Sequence, residues 1–201
     1  MQTIKTGIIG GAGYTGGELL RLLLLHPNAE VSYIVSKSQA GKPVSQIHTD
    51  LTGDTDLVFT EKPNKHADVV FLCMAHGEAK KFLEENEFLF NAKVIDLSKD
   101  LRIESKQLVP GKNFVYGLPE LNKDKIKKAN YIANPGCFAT AIQLGLLPLA
   151  GKGLLTGNIN INATTGSTGA GQSLSSSTHF SWRNNNLSVY KPFEHEHLAE
   201  I

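Results

Sequence analysis

Cysteine is scarce: Cys73 and Cys137 are the only two in 201 residues. Two thiols cannot build the disulfide framework of a small secreted scaffold, and neither lies in a CxxC spacing that would hold zinc. Long apolar runs are also missing. Arg21 breaks the leucine-rich stretch from Leu19 to Leu25, and no run approaches the ~20 residues that a membrane-spanning helix needs. Neither sign of charge dominates, since 20 Lys and Arg stand against 19 Asp and Glu for a net +1. That balance offers no electrostatic footprint to nucleic acid or to an anionic membrane. The densest basic run, Lys123, Lys125, Lys127 and Lys128, is interrupted by Asp124 and reads as a solvated helix face. The amino terminus lacks a basic region followed by an apolar core and a cleavage site. A reducing, cytoplasmic setting is therefore expected, with no nucleic-acid, membrane or metal partner.

The remaining composition is that of a globular protein, with 41% hydrophobic and 19% charged residues. Strand and helix signals alternate. Ile4 to Gly10 reads as a strand and Tyr14 to Leu25 as a helix ended by His26-Pro27-Asn28. Val31 to Val35 is a second strand. Asp68 to Met74 is a continuous apolar run, as in a parallel strand covered on both faces. Glu78 to Glu85 is amphipathic, and Lys93 to Leu97 and Tyr131 to Ala133 are further strands. The rhythm predicts an α/β fold: a Rossmann-type doubly wound parallel sheet wrapped by helices.

The texture changes after the apolar helix expected at Phe138 to Leu149. Ile159 to Thr164 alternates like a strand with one exposed face, and Gly166 to Asn186 reads as a long Gly, Ser, Thr and Asn-rich loop. We place the boundary at Cys137, giving a nucleotide-binding domain over 1–137 and the start of an α+β substrate or dimerisation domain over 138–201. About one strand and one helix are too little to bury a second core. The chain is therefore expected to be part of a longer protein.

Two motifs carry chemistry. Gly10, Gly13 and Gly16 form G-x-x-G-x-x-G between the first strand and helix. A turn of that kind lets backbone approach a pyrophosphate at a helix N-terminus; the alternative is a tight turn with no ligand. Ser36-Lys37-Ser38 follows the second strand, where NAD sites usually carry an acidic residue. Two hydroxyls and an ammonium suit a 2′-phosphate, so NADP(H) is favoured unless Lys37 is merely an exposed loop lysine. The second motif is Asn134-Pro135-Gly136-Cys137, directly before the apolar helix. Unpaired N–H groups at a helix start favour thiolate over thiol, so Cys137 is a candidate nucleophile. A thiolate beside a nicotinamide points to oxidation or reduction of an acyl group through a thioester.

The segments GGAGYTGGEL (10–19), HADVVFLCMAHGEA (66–79), VIDLSKDLR (94–102), YGLPEL (116–121), NPGCFAT (134–140), TTGSTGAG (164–171) and HEHLAEI (195–201) resemble the N-acetyl-γ-glutamyl-phosphate reductase family of arginine biosynthesis. The resemblance implies reductive dephosphorylation of a small-molecule acyl phosphate with NADPH to a semialdehyde, by a dimer or tetramer. It extends to aspartate-semialdehyde dehydrogenase, whose acyl-phosphate substrate is a rival reading; a non-catalytic NADP-binding sensor is a third. Two departures stand out. Ala75 occupies the place of a family proline before His76-Gly77, beside the nicotinamide. Glu196 replaces a basic residue in HEHLAEI, which makes that segment more acidic.

On this reading Cys137 attacks the acyl phosphate, and His195 or His197 is the acid/base. An extended segment would point both rings to one face. His197 is preferred because Glu200 follows in what reads as a helical turn and would orient it, leaving His195 to contact substrate. The resemblance implies that Gly10, Ala12, Gly13, Tyr14, Thr15, Gly16, His76, Gly77, Ser167 and Gly169 surround the cofactor, with Ser36, Lys37 and Ser38 at the 2′-phosphate. It gives Ser98 and Arg102 to the substrate phosphate; the alternative for Arg102 is a surface pair with Asp100 or Glu104. Asn134 shapes the cysteine turn, and its amide and Glu200 are candidate substrate contacts. Cys73 reads as a buried, inert thiol.

Overall fold

The computed structural model describes residues 3–86, 91–103, 109 and 111–201. They form two compact units, 1–135 and 136–201. The division falls two residues ahead of the expected boundary, because the helix that starts at Cys137 carries the thiol with it into the second unit.

The first unit is built on β1 (Ile4–Ile9), β2 (Ala29–Val35), β3 (Phe59–Thr60), β4 (Val69–Leu72), β5 (Lys93–Asp96), β6 (Val115–Tyr116) and β7 (Tyr131–Ala133). They make one seven-stranded sheet in the order β3-β2-β1-β4-β5-β7-β6, and every pairing is parallel. Helices α1 (Tyr14–Leu24), α2 (Ala79–Glu85) and α3 (Pro119–Lys128) provide crossovers. The chain runs outward from β1 through β2 to β3, then returns to place β4 on the other side of β1. That reversal opens a crevice beyond the carboxyl ends of β1 and β4, where open α/β sheets bind ligands.

Both sheet faces are covered, as the unbroken apolar runs imply. Successive side chains point to opposite faces. Ile8 and Ile34 pack with Leu20, Val44 and Phe59, whereas Ile9 and Val35 pack with Leu72, Leu83 and Val94. Close packing also decides one glycine. A Cβ at Gly7 would overlap the Tyr33 ring, which that strand position leaves room for.

The second unit begins with α4 (Cys137–Ala150) and ends in a 3-10 turn at Glu196–Ala199, with the four-residue α5 (Phe180–Arg183) between them. The strand expected at 159–164 is not formed; the segment is exposed and irregular. A strand needs a neighbour to take its N–H and C=O groups, and among the described residues none pairs with it.

Candidate active site

The glycine turn between β1 and α1 is held from below. Gly10 and Gly11 both donate N–H to Val35 O, at 3.0 and 2.9 Å. Gly10 has φ +82°, and a Cβ there would lie 2.5 Å from Cys73 O, so only glycine suits both the turn and the approach of β4. At Gly16 a Cβ would sit 2.7 Å from Gly10 O and Gly11 Cα, which keeps the head of α1 close to the turn. Gly13 is different: its Cβ would meet nothing nearer than Gly10 O at 3.6 Å. It caps α1 without a side-chain hydrogen bond, with Tyr14 and Thr15 exposed just after it. Packing thus excludes a side chain at Gly10 and Gly16 but not at Gly13. Ser36 is buried at the end of β2, its hydroxyl 3.5 Å from that of Ser38; Lys37 and Ser38 are exposed on a 3-10 turn.

The loop after β5 is wired more tightly than its sequence suggests. Asp96 is fully buried, and its carboxylate accepts the Ser98 N–H at 3.1 Å and the Ser98 hydroxyl at 2.8 Å. Ser98 Oγ in turn accepts the Asp100 N–H at 3.1 Å. The Asp100 carboxylate then accepts N–H groups from Gly77 at 2.8 Å and Ala79 at 3.3 Å. His76 joins the same wiring by accepting the Lys99 N–H through Nδ1 at 3.2 Å. Gly77, at φ +90°, is therefore set by a residue from the neighbouring strand's loop.

Ser98 and Arg102, expected at a substrate phosphate, are occupied within the protein. Ser98 is 0% exposed with its hydroxyl proton given to Asp96. Arg102, 8% exposed, donates Nε to Asn134 O at 2.8 Å and Nη2 to Leu97 O at 3.0 Å. Asp100 is turned to Gly77 and Ala79, and Glu104 lies outside the described residues. Asn134 also donates its N–H to Asp96 O at 2.7 Å and its amide Nδ2 to Pro135 O at 3.1 Å. Asp96 was missed in the sequence reading; an acidic residue closing an apolar strand was its only signal. Burial pushes its carboxyl up to about 6. Burial first, then the Asp96 charge, pushes the neighbouring Cys73 thiol up to about 12 and keeps it protonated.

In the second unit Cys137 is the first residue of α4 and is exposed. Glu200 binds the start of that helix: Oε2 accepts the Gly136 N–H at 3.0 Å, and its backbone O accepts Gln143 Nε2 at 2.6 Å. The other carboxylate oxygen is 3.9 Å from His197 Nε2, with both side chains largely buried. The two histidines are not on an extended segment. His195 caps the 3-10 turn by accepting the His197 N–H through Nδ1 at 3.1 Å, and the turn brings the imidazoles to 4.6 Å centroid separation. Their rings meet Phe138, next to the cysteine, at 5.2 and 6.2 Å. With Nδ1 taken, neutral His195 carries its proton on Nε2, 3.4 Å from Tyr190 Oη. Burial, and secondarily charge on Cys137, raises the Tyr190 phenol. Glu196 does not leave the segment acidic, because Lys191 pairs with it at 2.6 Å and holds its carboxyl down near about 2. Ser167 and Gly169 belong to a separate 3-10 turn, Ser167–Ala170.

A Rossmann-type sheet carries the glycine turn, and the second unit opens on Cys137 with two histidine rings against the adjacent Phe138. The chain belongs to the semialdehyde dehydrogenase family: residues 5–129 match its NAD binding domain and residues 137–201 its dimerisation domain. N-acetyl-gamma-glutamyl-phosphate reductases of Flavobacterium johnsoniae and Bacteroides thetaiotaomicron are 59% and 55% identical over 98% of the chain. The chain spans 61% of the length of each. Among solved structures, aspartate semialdehyde dehydrogenase with NADP from Candida albicans shares the fold at 22% identity and TM-score 0.56, covering 77% of this chain and 48% of that one. Among the described residues no helix is long and apolar enough to cross a membrane.

Proposed function

We propose that this chain is the nucleotide-binding and nucleophile-bearing part of an N-acetyl-γ-glutamyl-phosphate reductase, working in the cytoplasm as a homo-oligomer in arginine biosynthesis. The observation that carries the reading is the grouping in one unit of Cys137, His197 and Glu200 at the head of α4. Identity of 59% to a named reductase and the match to a dimerisation domain support it.

The open turn at Gly13 fits a pyrophosphate, with Gly10, Ala12, Tyr14, Thr15 and Gly16 around it. Ser36, Lys37 and Ser38 suit the 2′-phosphate and His76 and Gly77 the nicotinamide end; in the second unit Ser167 and Gly169 are further candidate cofactor contacts. When bound, NADPH would supply the hydride. Cys137 Sγ attacks the acyl carbon, the carbon–oxygen bond to phosphate breaks, and a thioester forms. His197 takes the S–H proton and passes it to the departing phosphate. Glu200 orients His197 and stabilises it while charged, and its hold on Gly136 ties that imidazole to the cysteine turn. His195, whose Nδ1 is already an acceptor, is the substrate contact. Arg102 supplies positive charge toward the phosphate, with Ser98 shaping the loop and Asn134 the turn. After reduction the carbon–sulfur bond breaks, freeing the aldehyde and returning the thiolate.

The test is phosphate-dependent oxidation of N-acetylglutamate semialdehyde with NADP by the complete protein, beside aspartate semialdehyde. Turnover of the acetylated substrate is expected, and Cys137→Ser should lower it by at least ~10³-fold while nucleotide affinity holds. Preference for aspartate semialdehyde would overturn the substrate, and full activity of the serine variant would overturn covalent catalysis.

A further inference from the structure

The turn GGAGYTGG contains two more glycines, Gly11 and Gly17, that a nucleotide does not account for. A Cβ on Gly11 would overlap the Ile34 side chain. A Cβ on Gly17 would lie 2.5 Å from Cε1 of the His48 ring. That ring is 7% exposed, and its Nε2 is 2.8 Å from Gly11 O. A carbonyl oxygen can only accept, so Nε2 carries the proton and donates it. His48 precedes a 3-10 turn, Thr49–Leu51, that is anchored to α1 independently: Arg21 forks onto Asp50 with Nε–Oδ2 at 2.6 Å and Nη2–Oδ1 at 2.7 Å. The imidazole thus stands on a braced support, packs on one glycine of α1 and holds the carbonyl of another in the turn.

We propose that His48 is a positioning residue for the dinucleotide, holding the Gly11 carbonyl inward so that its negative end does not face an incoming pyrophosphate. The trans peptide fixes the consequence: with the carbonyl drawn to a buried donor, the N–H side of the 11–12 peptide is turned the other way. An unbraced turn would sample orientations that present oxygen to oxygen, and nucleotide affinity would fall by the fraction of time spent there. His48 touches neither nucleotide nor substrate; it acts through Gly11.

The inference rests on the reductase reading above, and the experiment separates the two. Dissociation constants for NADPH are measured by its fluorescence on the complete wild-type protein, His48→Gln, which keeps an N–H donor, and His48→Phe, which keeps a ring without one. Michaelis constants for NADPH and the acyl phosphate, with kcat, are measured alongside. The phenylalanine variant is expected to bind NADPH roughly tenfold more weakly, with the acyl-phosphate constant and kcat little changed. The glutamine variant should recover most of the affinity. Wild-type failure to bind NADPH would sink the reductase reading, whereas wild-type binding with equal affinity in both variants would sink the role of His48 alone. If neither variant folds, nitrogen NMR of the wild-type imidazole decides. Its Nε2–H signal should shift on titration with NADP, and an unmoved signal overturns the proposal.

Discussion

Glu200 accepts the Gly136 N–H at 3.0 Å across 64 residues of sequence, so the carboxylate facing His197 also holds the N-cap of the helix that starts at Cys137. One side chain thereby couples the imidazole's position to that of the cysteine turn. Glu200→Gln keeps an oxygen for Gly136 but removes the charge opposite His197. It is expected to lower kcat by roughly 10–100-fold with a small change in melting temperature. Glu200→Ala leaves a buried N–H without its acceptor and should also cost about 1–3 kcal/mol of stability. Steady-state kinetics beside thermal unfolding distinguish the two. Wild-type kcat in the glutamine variant would mean that the charge does nothing for His197.

The two histidines are separated by the same kind of argument. Asn at 195 places an acceptor near the position of Nδ1 and can cap the His197 N–H, so His195→Asn should mainly raise the Michaelis constant for the acyl phosphate. His197→Asn should cut kcat by ~10²–10⁴-fold. The reverse pattern would exchange their roles.

Two glycines of one turn should fail differently. Gly10→Ala forces a Cβ to within 2.5 Å of Cys73 O at φ +82°, and a loss of at least ~2 kcal/mol in urea unfolding is expected. Gly13→Ala meets ordinary packing, so stability should hold within ~1 kcal/mol while NADPH affinity drops at least about tenfold. Unaltered affinity in the second variant would leave the turn without a ligand.

Asp96 predicts an acid-side signature of unusual sign. Burial lifts its carboxyl from 3.8 to about 6 against the opposing Ser98 hydrogen bonds. The native state therefore holds this proton more tightly than the unfolded chain. The resulting penalty is absent below about pH 4, grows as pH rises, and is complete above about pH 6, at roughly 3 kcal/mol. Glu196, held near about 2 by Lys191, works the other way and loses its contribution only as pH falls from about 4 to 2. Asp96→Asn should gain on wild type in melting temperature steadily from about pH 4 to pH 6.5. Parallel curves for the two proteins would show that this carboxyl ionises normally.

What was legible in the sequence follows the strength of the local signal. Tyr131 to Ala133 was read to the residue, and β1, α1 and the start of α4 nearly so, because Gly and Pro mark their ends and both sheet faces are apolar. The two-residue β3 and β6 carry no periodicity to read and exist through their neighbours' ladders. Residues 159–164 show the converse: alternation without a partner strand does not make a ladder. In the site, Cys137 and the glycine turn announced themselves through motif and helix context. His48, Asp96 and the occupied hydroxyl of Ser98 did not, since each owes its position to groups that lie far off in sequence or to burial that no short pattern encodes.

Cys137, His197 and Glu200 all belong to residues 136–201, whereas the glycine turn belongs to residues 1–135. The thiol and the glycine turn are therefore supplied by separate stretches of polypeptide. In the chemistry proposed, enzyme given acyl phosphate alone should liberate a single equivalent of inorganic phosphate per active site and then stall, waiting for its reductant with the acyl group still attached.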